Sequence, residues 1–177
     1  IAGNVAMNSG GAHCLKYGVT ANNILGLKLV TVEGEIVEIG GGALDSPGYD
    51  LIGLIVGSEG QLGVVTEVTV RILRQAEGAR PVLFGFREIA QAGQTVSDII
   101  GAGIIPVAIE YMDREAIHIC EAFAKAGYPL DVEAMLIIEV EGSEAEMEAM
   151  LARIVEIARR HDVATVKESK SAMETAA

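Results

Sequence analysis

The sequence predicts an α+β chain in two parts, the first mainly β and the second alternating strands with helices, dividing near residues 74–81. Three observations carry this. From Val64 to Leu73, β-branched residues recur at nearly every step. Glycine-rich loops give way to helical periodicity near Gln75–Arg80. No dinucleotide fingerprint G-x-G-x-x-G accompanies the alternation, so the expected second part is an antiparallel sheet with helices on one face.

Taken in order, residues 1–24 are rich in Gly and Asn and read as loop with a short helix. Leu25 to Val32 and Glu35 to Ile39 form a hairpin about Glu33-Gly34. Gly40-Gly41-Gly42 and Pro47-Gly48 mark a loop. Asp50 to Val56 suits a short helix with Leu51, Leu54 and Ile55 on one face, followed by a loop over Gly57 to Gly63. In the second part, Val82 to Phe86, Val107 to Met112, Met135 to Val140 and Ala164 to Lys167 are strands. Ile89, Ala92, Val96 and Ile99 repeat at helical spacing until Gly101 and Gly103. Asp113 caps a helix carrying Ile117, Cys120 and Phe123 on one side, stopped by Gly127 and Pro129. Ser143 and Glu146 form a capping box that opens a helix with Met147, Met150, Leu151, Ile154 and Ala158 on its buried side. Its Glu residues cluster at the start and Arg159-Arg160 at the end, as the macrodipole favours.

Composition excludes several functions. The formal net charge of −12 and the lack of a basic stripe argue against a nucleic-acid partner. No apolar run reaches the roughly 18–20 residues that a spanning helix needs, so no transmembrane segment is expected. Cys14 and Cys120 lie far apart without a C-x-x-C pair, which fits reduced thiols in a cytosolic protein. No nucleophile elbow G-x-S-x-G surrounds Ser9 or Ser58. Glu110, Glu139 and Glu141 read as a solvated face rather than a paired-carboxylate site.

Two glycine clusters stand out: Gly3-Asn4 with Asn8-Ser9-Gly10-Gly11, and Gly57-Ser58-Glu59-Gly60-Gln61-Leu62-Gly63. Either alone would read as ordinary tight turns. The words around them are more specific. Asn8 through Gly18, Asn23-Ile24-Leu25-Gly26-Leu27, Ala43 through Leu51, Gly57 through Gly63, Glu110-Tyr111-Met112-Asp113 and Ala126-Gly127-Tyr128-Pro129 together resemble the FAD-linked oxidases of the vanillyl-alcohol-oxidase type.

The resemblance implies part of a PCMH-type FAD-binding domain, an antiparallel sheet with helices, over residues 1–76. A ferredoxin-like α+β cap (substrate) domain would begin within 77–177. It implies FAD as cofactor, with Gly3, Asn4, Asn8, Ser9, Gly10 and Gly11 along the pyrophosphate and flavin, and Glu59, Gly60, Gly63 and Val65 near the ribose and adenine. Turns with successive N–H groups pointing inward would supply the anion contacts. His13 and Cys14 read as packed behind the loop, His118 and His161 as surface or capping residues. None of the three His residues carries the family's H-x-G-D-G-N-type pattern, so no metal site is expected. The implied reaction is oxidation of a small 2-hydroxy acid, glycolate or D-lactate, with D-2-hydroxyglutarate as an alternative. The partners would be other oxidase subunits or an electron acceptor, with the protein cytoplasmic and peripheral to the inner membrane through them. The resemblance places the substrate-contacting residues after Ala177 and a first pyrophosphate loop before Ile1, so no catalytic residue is assigned. The chain is thus expected to be a fragment that is inactive and binds FAD weakly or not at all by itself. The reading from another class is a folded interaction module without catalysis.

Overall fold

A computed structural model of the chain describes residues 1–41 and 48–168. The loop signals at Gly42 and Pro47, and the stretch Ala43-Leu44-Asp45-Ser46 that enters the resemblance, lie outside the described residues. The chain divides into two compact units, Ile1–Arg74 and Gln75–Ala177.

The first unit is built on a three-stranded antiparallel sheet. Its central strand β1 (Ile24–Val30) lies between β2 (Ile36–Gly40) and β3 (Val64–Val70). The β1–β2 hairpin closes as predicted, with Gly34 at φ 81° and Thr31 N–H donating to Glu35 O at 2.9 Å. Leu27 and Leu29 on β1 pack with Val5, Ile55 and Val56 into a small aliphatic core. β3 ends at Val70, short of the predicted Leu73, because its neighbour β1 begins at Ile24 and offers no ladder further on. Ile72 and Leu73 are exposed. The short helices are α1 (Ala2–Met7), α2 (Cys14–Tyr17) and α3 (Leu51–Ile55), with a 3-10 turn at Thr20–Asn23. Asp50 caps α3 by accepting from Gly53 N–H at 2.8 Å. The buried face of α3 differs from the prediction: Ile52 and Ile55 pack on the core with Val56, while Leu51 and Leu54 are exposed. In a helix of five residues a one-residue error in phase changes which side is inward.

The second unit carries a four-stranded sheet in the order β5-β6-β4-β7, every neighbouring pair antiparallel. The strands are β4 (Gly78–Phe86), β5 (Ala108–Asp113), β6 (Ala134–Gly142) and β7 (Thr165–Glu168). Helix α4 (Ile89–Gly101) joins β4 to β5, α5 (Arg114–Ala124) joins β5 to β6, and α6 (Glu144–Arg159) joins β6 to β7. Without α5 this is the split β-α-β arrangement of ferredoxin-like domains.

Strand parity assigns the two faces. Val82, Phe84 and Phe86 on β4 and Leu136, Ile138 and Val140 on β6 point the same way, into a core completed by Ala92 and Ile99 of α4 and Leu151 and Ile154 of α6. Leu83, Met135 and Ile137 point the other way, where Ile117 of α5 and Val132 cover them. The helices therefore divide between both faces, not one as expected. The reason is that α5 packs its fully buried Ile117 on the Met135 side of the sheet; Phe123 of the same helix is 91% exposed, so its buried side is narrower than predicted. Glu110 lies opposite Ile137 on β6, which places it with Glu139 and Glu141 on this second face.

Caps end the helices where the sequence signals them. Asp113 accepts from Ala116 N–H at 2.8 Å, and Glu146 reaches back to Ser143 N–H at 2.9 Å. Helix α5 stops at Lys125, which takes left-handed φ 52° ahead of Gly127. Arg153 on α6 donates to Ala102 O just past α4, and His161 Nε2 lies 2.8 Å from Asp98 Oδ2 on α4.

Two expectations follow. Phe84→Ala should destabilise the second unit by about 3–5 kcal/mol, the usual cost of truncating a fully buried Phe; calorimetry should show that loss in this unit's transition. Asp98 is held below the ordinary carboxylate range by hydrogen bonds from Gln94 and then from His161. A depressed carboxylate stabilises the fold above the unfolded value near 3.9, and that contribution is lost as pH falls through the folded one. Acid unfolding followed by circular dichroism should be less steep in Asp98→Asn, and an identical acid profile would contradict the assignment.

Candidate functional site

The site is built around the C-terminal end of α1. A helix leaves its last carbonyls without intrahelical donors, and here other parts of the first unit supply them. Asn8 adopts φ 46° and ψ 49°, so Ser9 N–H donates to Asn4 O at 2.9 Å and Asn8 N–H to Val5 O at 3.2 Å, a Schellman-type stop. The second glycine cluster completes the cap. Gly57 N–H donates to Val5 O at 2.9 Å and Glu59 N–H to Ala6 O at 2.8 Å. The two clusters, far apart in sequence, thus meet through backbone hydrogen bonds.

The second cluster needs unusual backbone to do this. Gly57, Glu59, Gly60 and Gly63 all have positive φ, at 87°, 56°, 79° and 148°. Glu59 is the one without glycine's freedom. Gly63 has a second constraint: a Cβ there would lie 2.7 Å from Leu29 Cδ1 and 2.8 Å from Val30 O. Val65 follows on β3 and packs against the core of this unit.

Asn8 and Ser9 are also bound to the next loop. Asn8 Oδ1 accepts from Ala21 N–H at 2.9 Å, and Ser9 O accepts from both Thr20 N–H at 3.1 Å and Thr20 Oγ1 at 2.8 Å. Gly11 N–H donates to Cys14 Sγ at 2.8 Å. The amides of Ser9 and Gly11 are therefore engaged within the loop, and the inward row of donors expected for an anion nest does not form at these two residues.

What the loop does border is an open pocket of about 300 Å³. Of the predicted residues, Asn4, Ser9, Gly10 and Gly11 line it. Gly3 and Asn8 belong to the same segment without lining it, and Glu59, Gly60, Gly63 and Val65 lie outside the lining. His13 and Cys14 line the cavity rather than packing behind the loop. Tyr17, Val19, Thr20 and Asn23, which the sequence reading did not name as cofactor-binding residues, also line it. The lining holds no Asp, Glu, Lys or Arg side chain, so it suits a flat, weakly polar group better than a phosphate. Gly3 and Gly11 have ordinary φ, and a Cβ on either meets nothing within 4 Å. The fold does not require glycine there; its effect is to keep that backbone surface open to a partner.

Known proteins resemble the chain in both units. Residues 76–177 match the family described as FAD linked oxidases, C-terminal domain, and residues 1–40 match the FAD binding domain. The chain is 48% identical over 157 residues to glycolate oxidase subunit GlcD of Escherichia coli, covering 89% of this chain and 32% of that protein. It is 41% identical over 172 residues to glycolate oxidase subunit GlcD of Bacillus subtilis, covering 97% and 37%. D-lactate dehydrogenase of Anaerostipes hadrus is 31% identical, with 89% and 35% covered. The chain thus spans about a third of the length of these relatives. Among solved structures, an alkyldihydroxyacetonephosphate synthase shares the fold with a TM-score of 0.81 at 20% identity, over 98% of this chain and 36% of that one.

The glycines separate into two kinds by substitution. Gly63→Ala should cost about 1–3 kcal/mol, from the strained φ and the clash with β1. Gly11→Ala should leave stability within about 0.5 kcal/mol of the parent. Thermal unfolding of both variants checks this, and an equal loss in both would contradict the distinction.

Proposed function

The chain belongs to the FAD-linked oxidase family, and on that premise we propose that the protein carrying it oxidises a small 2-hydroxy acid, glycolate or D-lactate, to the 2-oxo acid. FAD is the cofactor of the family and, when bound, supplies the hydride acceptor. The observation that carries the reading is the 48% identity to a glycolate oxidase subunit across both units. The D-lactate dehydrogenase relative, at 31%, favours D-lactate as the second substrate.

The residues present fit part of the cofactor. An open pocket of about 300 Å³ is at the small end of ligand pockets and has room for one ring system with its neighbouring atoms. Asn4, Ser9, Gly10 and Gly11 would hold that portion, with Gly3 keeping the approach open. Asn8, Glu59, Gly60, Gly63 and Val65 would act behind them by fixing the loops and the strand. We assign residues 1–76 to the C-terminal part of the FAD-binding domain and 77–177 to the N-terminal part of the cap (substrate) domain, an assignment supported by the family matches over 1–40 and 76–177.

Other oxidase subunits or an electron acceptor would receive the electrons, in keeping with the word subunit in the names of two relatives. Among the described residues no helix is long and apolar enough to cross a membrane. Our reading places the protein in the cytoplasm, peripheral to the inner membrane through its partner subunits.

Anaerobic titration of the holoprotein tests the assignment. Glycolate or D-lactate should bleach the visible flavin band, and the corresponding 2-oxo acids should not. A preparation without flavin, or one whose flavin no 2-hydroxy acid reduces, would sink it.

A further inference from the structure

We propose that Asn23 is a positioning residue for the cofactor cavity, braced by Arg71; this rests on the assignment of that cavity to FAD. Asn23 ends the 3-10 turn and immediately precedes β1. Its side-chain Nδ2 donates to Tyr17 O at 3.0 Å and to Val19 O at 3.1 Å. Its Oδ1 accepts from Arg71 Nη2 at 3.1 Å, and its backbone O accepts from Arg71 N–H at 2.9 Å. Both amide donors and one acceptor site are thus in use, three of the four hydrogen bonds usually counted for such a side chain.

The placement of these bonds gives them their function. Tyr17 and Val19 line the cavity, as do Ser9, Gly10 and Gly11. The two segments are tied together by Thr20 and Ala21, through the bonds to Ser9 O and Asn8 Oδ1. Asn23 ties the Tyr17–Val19 segment to the beginning of β1, and Arg71 ties Asn23 to the chain leaving β3. The Val19 carbonyl also accepts from Asn22 N–H at 3.1 Å, a bond that stays within the turn. The segment between Tyr17 and Val19 contains Gly18 at φ 73°, a residue with little conformational preference of its own. Thr20 and Ala21 hold this segment to Ser9 and Asn8, Asn22 holds it locally, and the Asn23 amide is what fixes it to β1 and, through Arg71, to the chain leaving β3.

Asn23→Asp isolates the effect. It keeps an oxygen for Arg71 and replaces the two donors with an acceptor facing two carbonyl oxygens. Arg71→Leu removes the brace while leaving the backbone bond to Asn23 O. In the holoprotein, Asn23→Asp should weaken FAD binding by about tenfold or more, the effect of losing roughly 1.4 kcal/mol. Arg71→Leu should weaken it less, and the double variant should fall short of the sum because both act through one element. The readouts are the FAD dissociation constant from flavin fluorescence, the band shape of the bound flavin's visible absorption, and the unfolding temperature of the apoprotein. The proposal expects altered affinity and band shape beyond what any fall in the apoprotein's unfolding temperature accounts for. Unaltered affinity and band shape would overturn it, as would a loss of affinity that merely tracks a lower unfolding temperature. A parent protein that binds no FAD would instead overturn the cofactor assignment, and this proposal with it.

Discussion

The last carbonyls of α1 impose the constraint on which the site depends. A helix of six residues has few internal hydrogen bonds, and most of its polar backbone must be satisfied from outside. Val5 O and Ala6 O obtain donors from Gly57 and Glu59, more than fifty residues away in the chain. This requirement brings the second cluster to the first, with both donor residues, Gly57 and Glu59, at positive φ. Val5, buried within the helix, then anchors it against Leu27 and Leu29 of β1. Cap, core and cavity are consequences of one packing solution.

The same solution redistributes the roles of the conspicuous residues. Asn8 acts through its left-handed backbone and its bond to Ala21, so its side-chain oxygen serves the fold. Gly63 serves the strand entry, where any Cβ would strike β1. Gly3 and Gly11 have no such internal reason, since a Cβ on either meets nothing within 4 Å. A glycine-rich word in the sequence thus mixes structural positions with open ones, and only the neighbours of each hypothetical Cβ separate them.

How much was legible in the sequence follows from where the controlling contacts lie. The β1–β2 hairpin, the Asp113 cap and the Glu146 capping box depend on residues a few positions apart, so local chemistry announced them. The outward position of Phe123 was not legible, because helical spacing alone does not say how wide a face the neighbours cover. Nor was the division of helices between two sheet faces, which depends on α5 meeting the Met135 side of β6. At the site, the words around the glycines pointed to the right family and to four lining residues. The place of Tyr17, Val19 and Asn23 in the lining was not legible, because the hydrogen bonds join that segment to residues such as Arg71, distant in sequence.

Amide hydrogen exchange at Gly57 and Glu59 tests the central claim most directly. Both residues are exposed, and loop amides in such positions ordinarily exchange fast. If their N–H groups cap α1, they should exchange as slowly as the amides of β1, since the same unit must open to release them. Exchange at the rate of an unprotected loop would contradict the account and leave the two glycine clusters without the backbone link that joins them.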